Sequence, residues 1–197
     1  MHFKVSVSFA ALMTLLLVAW NAAAEIEIGS AAPDFSAVGV DDKDYNLASF
    51  KDAKLVVLCF TCNGCPVARA YEERLIEFVK QYESKGVKLV AINCNNRTEN
   101  LEKMKGHAAE EGFNFPYVFD ETGDAARAYG ARVTPHLFVL DADRKVAYRG
   151  AFDDSQQDPE TAFLAVAVDA LLEGKTPEQT STRAFGCGIK LKELAKN

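Results

Sequence analysis

The chain has no internal repeat, no low-complexity tract and no basic cluster. The first two absences exclude repeat arrays and compositionally biased disorder. The third, with a net charge of −6, removes the electrostatic footing that nucleic acid or an anionic membrane surface would need. Cysteine stops at 5, too few for a disulfide-stapled miniprotein, and 197 residues bury a core that needs no staples. An odd count also leaves at least one thiol unpaired within a monomer.

Charge is nearly missing from the first two dozen residues. Lys4 is the only formal charge before Glu25, and the run between them is apolar up to the small-residue triplet Ala22-Ala23-Ala24. This pattern predicts a secretory signal over residues 1–24, cleaved after Ala24. The run is long enough to span a bilayer, so a retained membrane anchor is the other reading. The Ala triplet and Asn21 favour cleavage. No Cys follows the run, which argues against a lipidated protein. The expected destination is outside the cytoplasm, the periplasm in a Gram-negative cell, where disulfides are chemically allowed.

Residues 25–174 read as one α/β domain, and 175–197 as a polar tail carrying Cys187. The Gly-, Pro- and Asp-broken start predicts an edge hairpin. Leu55 to Phe60 is a continuous apolar run, the pattern of a strand buried on both faces. A helix is expected from Pro66 to Glu83, stopped by Gly86, then a second buried strand from Val87 to Asn93. Thr98 to Glu111 reads as a helix, Phe115 to Phe119 as a short extended piece, and Asp124 to Tyr129 as a two-turn helix. His136 to Leu140 and Val146 to Arg149 predict an antiparallel hairpin. Asp158 is the expected N-cap of a last helix, with Pro159 at its first position. The order describes an α/β sheet with an antiparallel edge.

The chemistry concentrates in Cys62-Asn63-Gly64-Cys65, between the first buried strand and the first helix. Two cysteines at this spacing can reach disulfide distance. Cys62 is expected at the helix N-terminus, where free N–H groups favour a thiolate, and the thiolate is the attacking species in exchange. Cys65 is expected one turn in, as resolving thiol. A permanent disulfide and two thiols of a metal site are the alternatives. Thr134-Pro135 opens a later strand, and Pro135 reads as a cis proline presenting the backbone before it to an incoming peptide beside Cys62.

These segments resemble the thioredoxin superfamily, and within it the exported redoxins of the AhpC/TSA and TlpA-like type. The resemblance lies in Ala32-Pro33-Asp34-Phe35, in FTCNGCPVARAYEERL around the cysteine pair, in GARVTPHLFVLD from Gly130 to Asp141, and in Gly186-Cys187-Gly188-Ile189-Lys190. It implies a thioredoxin fold: a central mixed sheet flanked by helices, with an N-terminal hairpin and a C-terminal tail. It further implies thiol–disulfide exchange with Cys62 as nucleophile, Cys65 as resolving thiol and Pro135 in cis. Partners would be protein or small-molecule thiols and disulfides and an electron donor or acceptor, with no cofactor and no metal. Three departures stand out. Thr61 replaces the usual Trp, Leu55 to Phe60 holds no carboxylate, and Asn63-Gly64 is neutral.

Two other functions are weighed. Peroxiredoxins share the Ala-Pro-Asp-Phe motif but place Thr three residues before the reactive Cys; here Thr61 is one before Cys62 and four before Cys65. Thioredoxin-fold copper carriers separate their cysteines by three residues, not two, although His136 after Pro135 completes a reasonable Cu(I) donor set. The blander reading makes His136 a partly buried strand residue. Cys59 reads as an inert core thiol, Cys94 as a thiol near the site's edge with a possible redox role, His107 as exposed, and Asp153-Asp154 as a solvated loop.

Cys187 lies 14 residues beyond Glu173, a reach of roughly 45 Å when extended. Gly186 and Gly188 free the backbone for close approach, and Phe185 and Ile189 supply apolar anchors. The tail is expected to fold back so that Cys187 exchanges with the Cys62–Cys65 pair or bonds to Cys94.

Overall fold

The computed structural model describes residues 25–192; the signal-like segment lies outside them. The strand β3 (Leu55–Thr61) is buried along its whole length. Period-two alternation sends Leu55, Val57 and Cys59 to one face and Val56, Leu58 and Phe60 to the other, so one strand serves two cores. Around it the sheet runs β2 (Asp44–Tyr45), β1 (Ala37–Gly39), β5 (Tyr117–Phe119), β4 (Val87–Asn93), β3, β7 (His136–Leu140) and β8 (Val146–Gly150). β3, β4 and β5 are parallel, while β1, β7 and β8 join antiparallel. A separate two-stranded ribbon pairs β6 (Val133–Thr134) with β9 (Cys187–Gly188).

The first core packs α2 (Glu72–Tyr82), α3 (Leu101–Glu111) and α5 (Phe163–Leu172) against the sheet through residues such as Leu75, Phe78, Met104 and Val168. The second receives α4 (Asp124–Tyr129) and the N-terminal residues Phe35 and Phe50. Asn100 caps α3 by accepting the Lys103 N–H at 3.0 Å. Gly86, at φ 91°, turns the chain from α2 into β4. No helix among the described residues is long and apolar enough to cross a membrane.

The chain departs from the sequence-based expectations in four places. The helix expected over 66–83 is broken into α1 (Pro66–Arg69) and α2, because the Tyr71 N–H bonds to Ala68 three residues back. The helix expected from Thr98 starts at Leu101. Asp158 and Pro159 do not start α5. Side chains of Asp154 and Ser155 take the N–H groups of Glu160, Gln157 and Asp158, and Arg74 takes the carbonyls of Ser155 and Gln156. These bonds hold the segment as a loop until Phe163.

Asp153 is the fourth: it is buried rather than solvated. It accepts from the Tyr71 hydroxyl at 2.6 Å and from Arg74 at 2.5 Å, pinning α2 to the loop before α5. Its removal leaves a buried hydroxyl and a largely covered guanidinium short of an acceptor. Asp153→Ala is therefore expected to cost about 2–3 kcal/mol, read as a lower urea midpoint at unchanged slope. A loss below about 0.5 kcal/mol would place Asp153 among ordinary surface residues.

Candidate active site

Cys62 follows the C-terminal end of β3, where a parallel sheet opens its crevice. The Asn63-Gly64 turn carries the chain across to Cys65, which is the N-cap of α1, with Pro66 at the first helical position. The helix begins at Pro66, as the sequence predicts, so Cys65 and not Cys62 stands at its N-terminus. The Cys65 sulfur accordingly receives the Ala68 N–H at 3.3 Å.

Both cysteines meet Thr134, the residue before the Thr134–Pro135 peptide, which is cis. Thr134 Oγ1 lies 3.4 Å from Cys62 Sγ, and the Cys65 thiol donates to the Thr134 carbonyl at 3.2 Å. Cys62, Cys65 and Ala68 form a small buried cluster, with Val67 and Cys187 packed on it. The turn is held by Glu99, a residue the sequence reading passed over. Its two carboxylate oxygens accept the N–H groups of Asn63 and Gly64 at 3.1 and 3.0 Å. Asn93 donates to Glu99 at 2.6 Å, and the Tyr117 hydroxyl donates to the Asn63 side chain at 2.6 Å. No local motif marks Glu99; it reaches the turn from the segment after β4.

The two thiols are electrostatically unlike. Burial pushes the Cys62 thiol up to about 11; the Thr134 contact works against the rise and the Glu99 carboxylate adds to it. Burial also pushes on Cys65, but hydrogen bonds from Cys187, Thr134 and the Ala68 N–H outweigh it, leaving Cys65 below the ordinary thiol range. The two thiols are thus shifted in opposite directions.

The remaining candidates divide. Cys59 is fully buried, with burial pushing its thiol up to about 12. Cys94 is fully buried in the second core, its thiol raised by burial and by the nearby Asp120 and Cys62 charges. Cys187 lies instead against Cys65. His107 is mostly covered, its side chain 11% exposed and 2.7 Å from Glu72. With Glu111 these two form a grouping of metal-ligand type; among the described residues Cys62, Cys65 and His136 do not form one together. His136 is buried against Phe138, and neither ring nitrogen has a hydrogen-bond partner.

Burial, aided by Arg149, depresses the His136 imidazole to about 4, from 6.5 when free. The folded chain keeps the ring neutral while the unfolded chain protonates it. This contribution is thus present above pH 6.5 and is lost as the pH falls toward 4, by on the order of 3 kcal/mol. Under reducing conditions, wild type is expected to lose stability over this window while His136→Leu loses less by that amount, measured by urea unfolding at both ends. Equal losses would show that His136 is hydrated in the fold.

Residues 27–165 match the Redoxin family. A hypothetical protein, SMc02350, from Sinorhizobium meliloti 1021 is 35% identical, with a TM-score of 0.81 over 87% of this chain and 98% of that one. An uncharacterized conserved protein from Geobacillus kaustophilus is 37% identical, with a TM-score of 0.81 over 86% of this chain and 94% of that one. Thiol-disulfide oxidoreductase ResA from Geobacillus thermodenitrificans is 29% identical over 121 residues, 61% of this chain and 67% of its own. With the family match spanning most of the sheet and helices described above, the chain belongs to the Redoxin family of thioredoxin-fold oxidoreductases.

Proposed function

We propose that this protein is an exported thiol–disulfide oxidoreductase and that Cys62 and Cys65 are its exchanging pair. The observation that carries the reading is the meeting of both sulfurs on Thr134, at the junction of β3, α1 and the cis-proline strand. A Cys-x-x-Cys pair outside this junction is a weak signal; inside it, both thiols meet the residue before the cis proline. The likeness to ResA supports the same chemistry. In this reading the leader is residues 1–24, the catalytic domain 25–174, and the tail 175–197 completes the site. The substrates are disulfides or thiols of exported proteins or small molecules.

The peroxidase reading is weaker on electrostatic grounds. A peroxide-reactive cysteine is an accessible, acidic thiol. Cys62 is 2% exposed, its thiol is raised, and Glu99 adds negative charge.

Peptide mapping of the oxidised protein is expected to show a Cys62–Cys65 disulfide, and replacing either cysteine by Ser should abolish catalytic cycling. Two thiols that stay reduced under oxidant would end the proposal. In stopped flow, hydrogen peroxide should oxidise the reduced protein no faster than an ordinary thiol. A rate approaching that of dedicated peroxidases would restore the other reading.

A further inference from the structure

The tail strand occupies the edge that an incoming peptide would use. In the antiparallel β6–β9 ribbon, Cys187 stands opposite Thr134. The Ile189 N–H bonds to the Arg132 carbonyl at 2.9 Å, and Thr134 Oγ1 reaches the Cys187 carbonyl at 3.5 Å. Gly186, at φ 149°, passes so close that a Cβ there would collide with the Thr134 carbonyl. Beyond the ribbon, buried Asn95 and Asn96 accept the N–H groups of Lys190 and Lys192 at 2.8 and 2.6 Å. Ile189 and Leu191 pack on the second core. The tail is a built part of the site.

The three clustered cysteines differ in exposure. Cys62 and Cys65 are 2% and 1% exposed, whereas Cys187 is half-buried and reaches solvent. Cys187 packs directly on the cluster that Cys62, Cys65 and Ala68 form.

From this juxtaposition we infer that Cys187 is a third catalytic thiol, relaying disulfides between outside partners and the buried pair through Cys65. The inference rests on Cys62 and Cys65 being the exchanging pair. In the reducing direction, the Cys187 thiolate attacks an external peptide or small-molecule disulfide. That S–S bond breaks, one external sulfur leaves and takes a proton, and Cys187 holds the other in a mixed disulfide. The Cys65 thiolate then attacks Cys187 Sγ, expels the second external thiolate and forms Cys65–Cys187. Cys62 finally attacks Cys65 Sγ, forming Cys62–Cys65 and returning Cys187 as a thiolate. Two electrons and two protons pass from the Cys62/Cys65 dithiol to the external disulfide. The same atoms run backward when an external dithiol reduces the pair.

The test traps the middle step. Cys62→Ser oxidised with diamide is expected to yield Cys65–Cys187 as its main disulfide by peptide mass spectrometry. Adding Gly186→Val, which denies the tail its close approach to Thr134, should cut that yield at least tenfold, with folding of each variant checked by circular dichroism. Cys187→Ser should still form Cys62–Cys65 with diamide. Prereduced and freed of excess reductant, it should reduce insulin disulfides at least tenfold more slowly than wild type in a single turnover. Separate thiols at Cys65 and Cys187 in oxidised Cys62→Ser, or insulin reduction at the wild-type rate by Cys187→Ser, would overturn the relay. Failure of the pair itself is read separately, as absence of the Cys62–Cys65 disulfide in wild type.

Discussion

Thr134 is the contact on which the site depends. Its hydroxyl faces Cys62, its carbonyl takes the Cys65 thiol, and its backbone pairs with Cys187. It is placed by the strand that follows: β7 pairs with β3 from His136 against Phe60 to Leu140 against Val56. The doubly buried central strand thus sets both Cys62, at its own end, and Thr134, at the start of its neighbour. No loop freedom intervenes between the two, so sulfur geometry is inherited from sheet register.

Within that geometry, burial and hydrogen bonding set the two thiols apart. Both thiols are nearly inaccessible, so desolvation opposes a thiolate at each. Cys65 overcomes it because a helix N-terminus and a neighbouring thiol both aim hydrogens at it. Cys62 has the single hydroxyl of Thr134 and, on its other side, the Glu99 carboxylate. Glu99 cannot simply be lost, because it satisfies the N–H groups of the turn joining the two cysteines. The charge that holds the loop in place also pushes the Cys62 thiol up.

Patterns of one or two local residues carried much of this to the reader of the sequence. The apolar runs of β3 and β4, the cis Thr134–Pro135 bond and the folding back of Gly186-Cys187-Gly188 are all in place. What escaped depends on partners distant in sequence. Asp158-Pro159 has good helix-start chemistry, but Arg74 and the side chains before it hold that segment as a loop. Asp153 reads as solvated until Tyr71 and Arg74 arrive from α2. Glu99 shows nothing local because its task is to satisfy N–H groups 35 and 36 positions away. Cys65 rather than Cys62 caps α1 for a local reason: the Asn63-Gly64 turn separates Cys62 from a helix that begins at Pro66.

The docked tail has an energetic consequence for the order of events. If β9 left its edge, Asn95 and Asn96, both nearly buried, would lose their partners at Lys190 and Lys192. Each unsatisfied amide costs roughly 1–3 kcal/mol until water reaches it. Ile189 and Leu191 would lose their packing on the second core as well. The undocked state is then a small minority, and a partner that waited for it would see its rate reduced by that fraction. Cys187, by contrast, is already beside Cys65 at the effective concentration of a tethered group. Exchange through the tail therefore avoids the opening step that direct attack on either buried cysteine requires, and the strand that blocks the peptide edge becomes the shorter path across it.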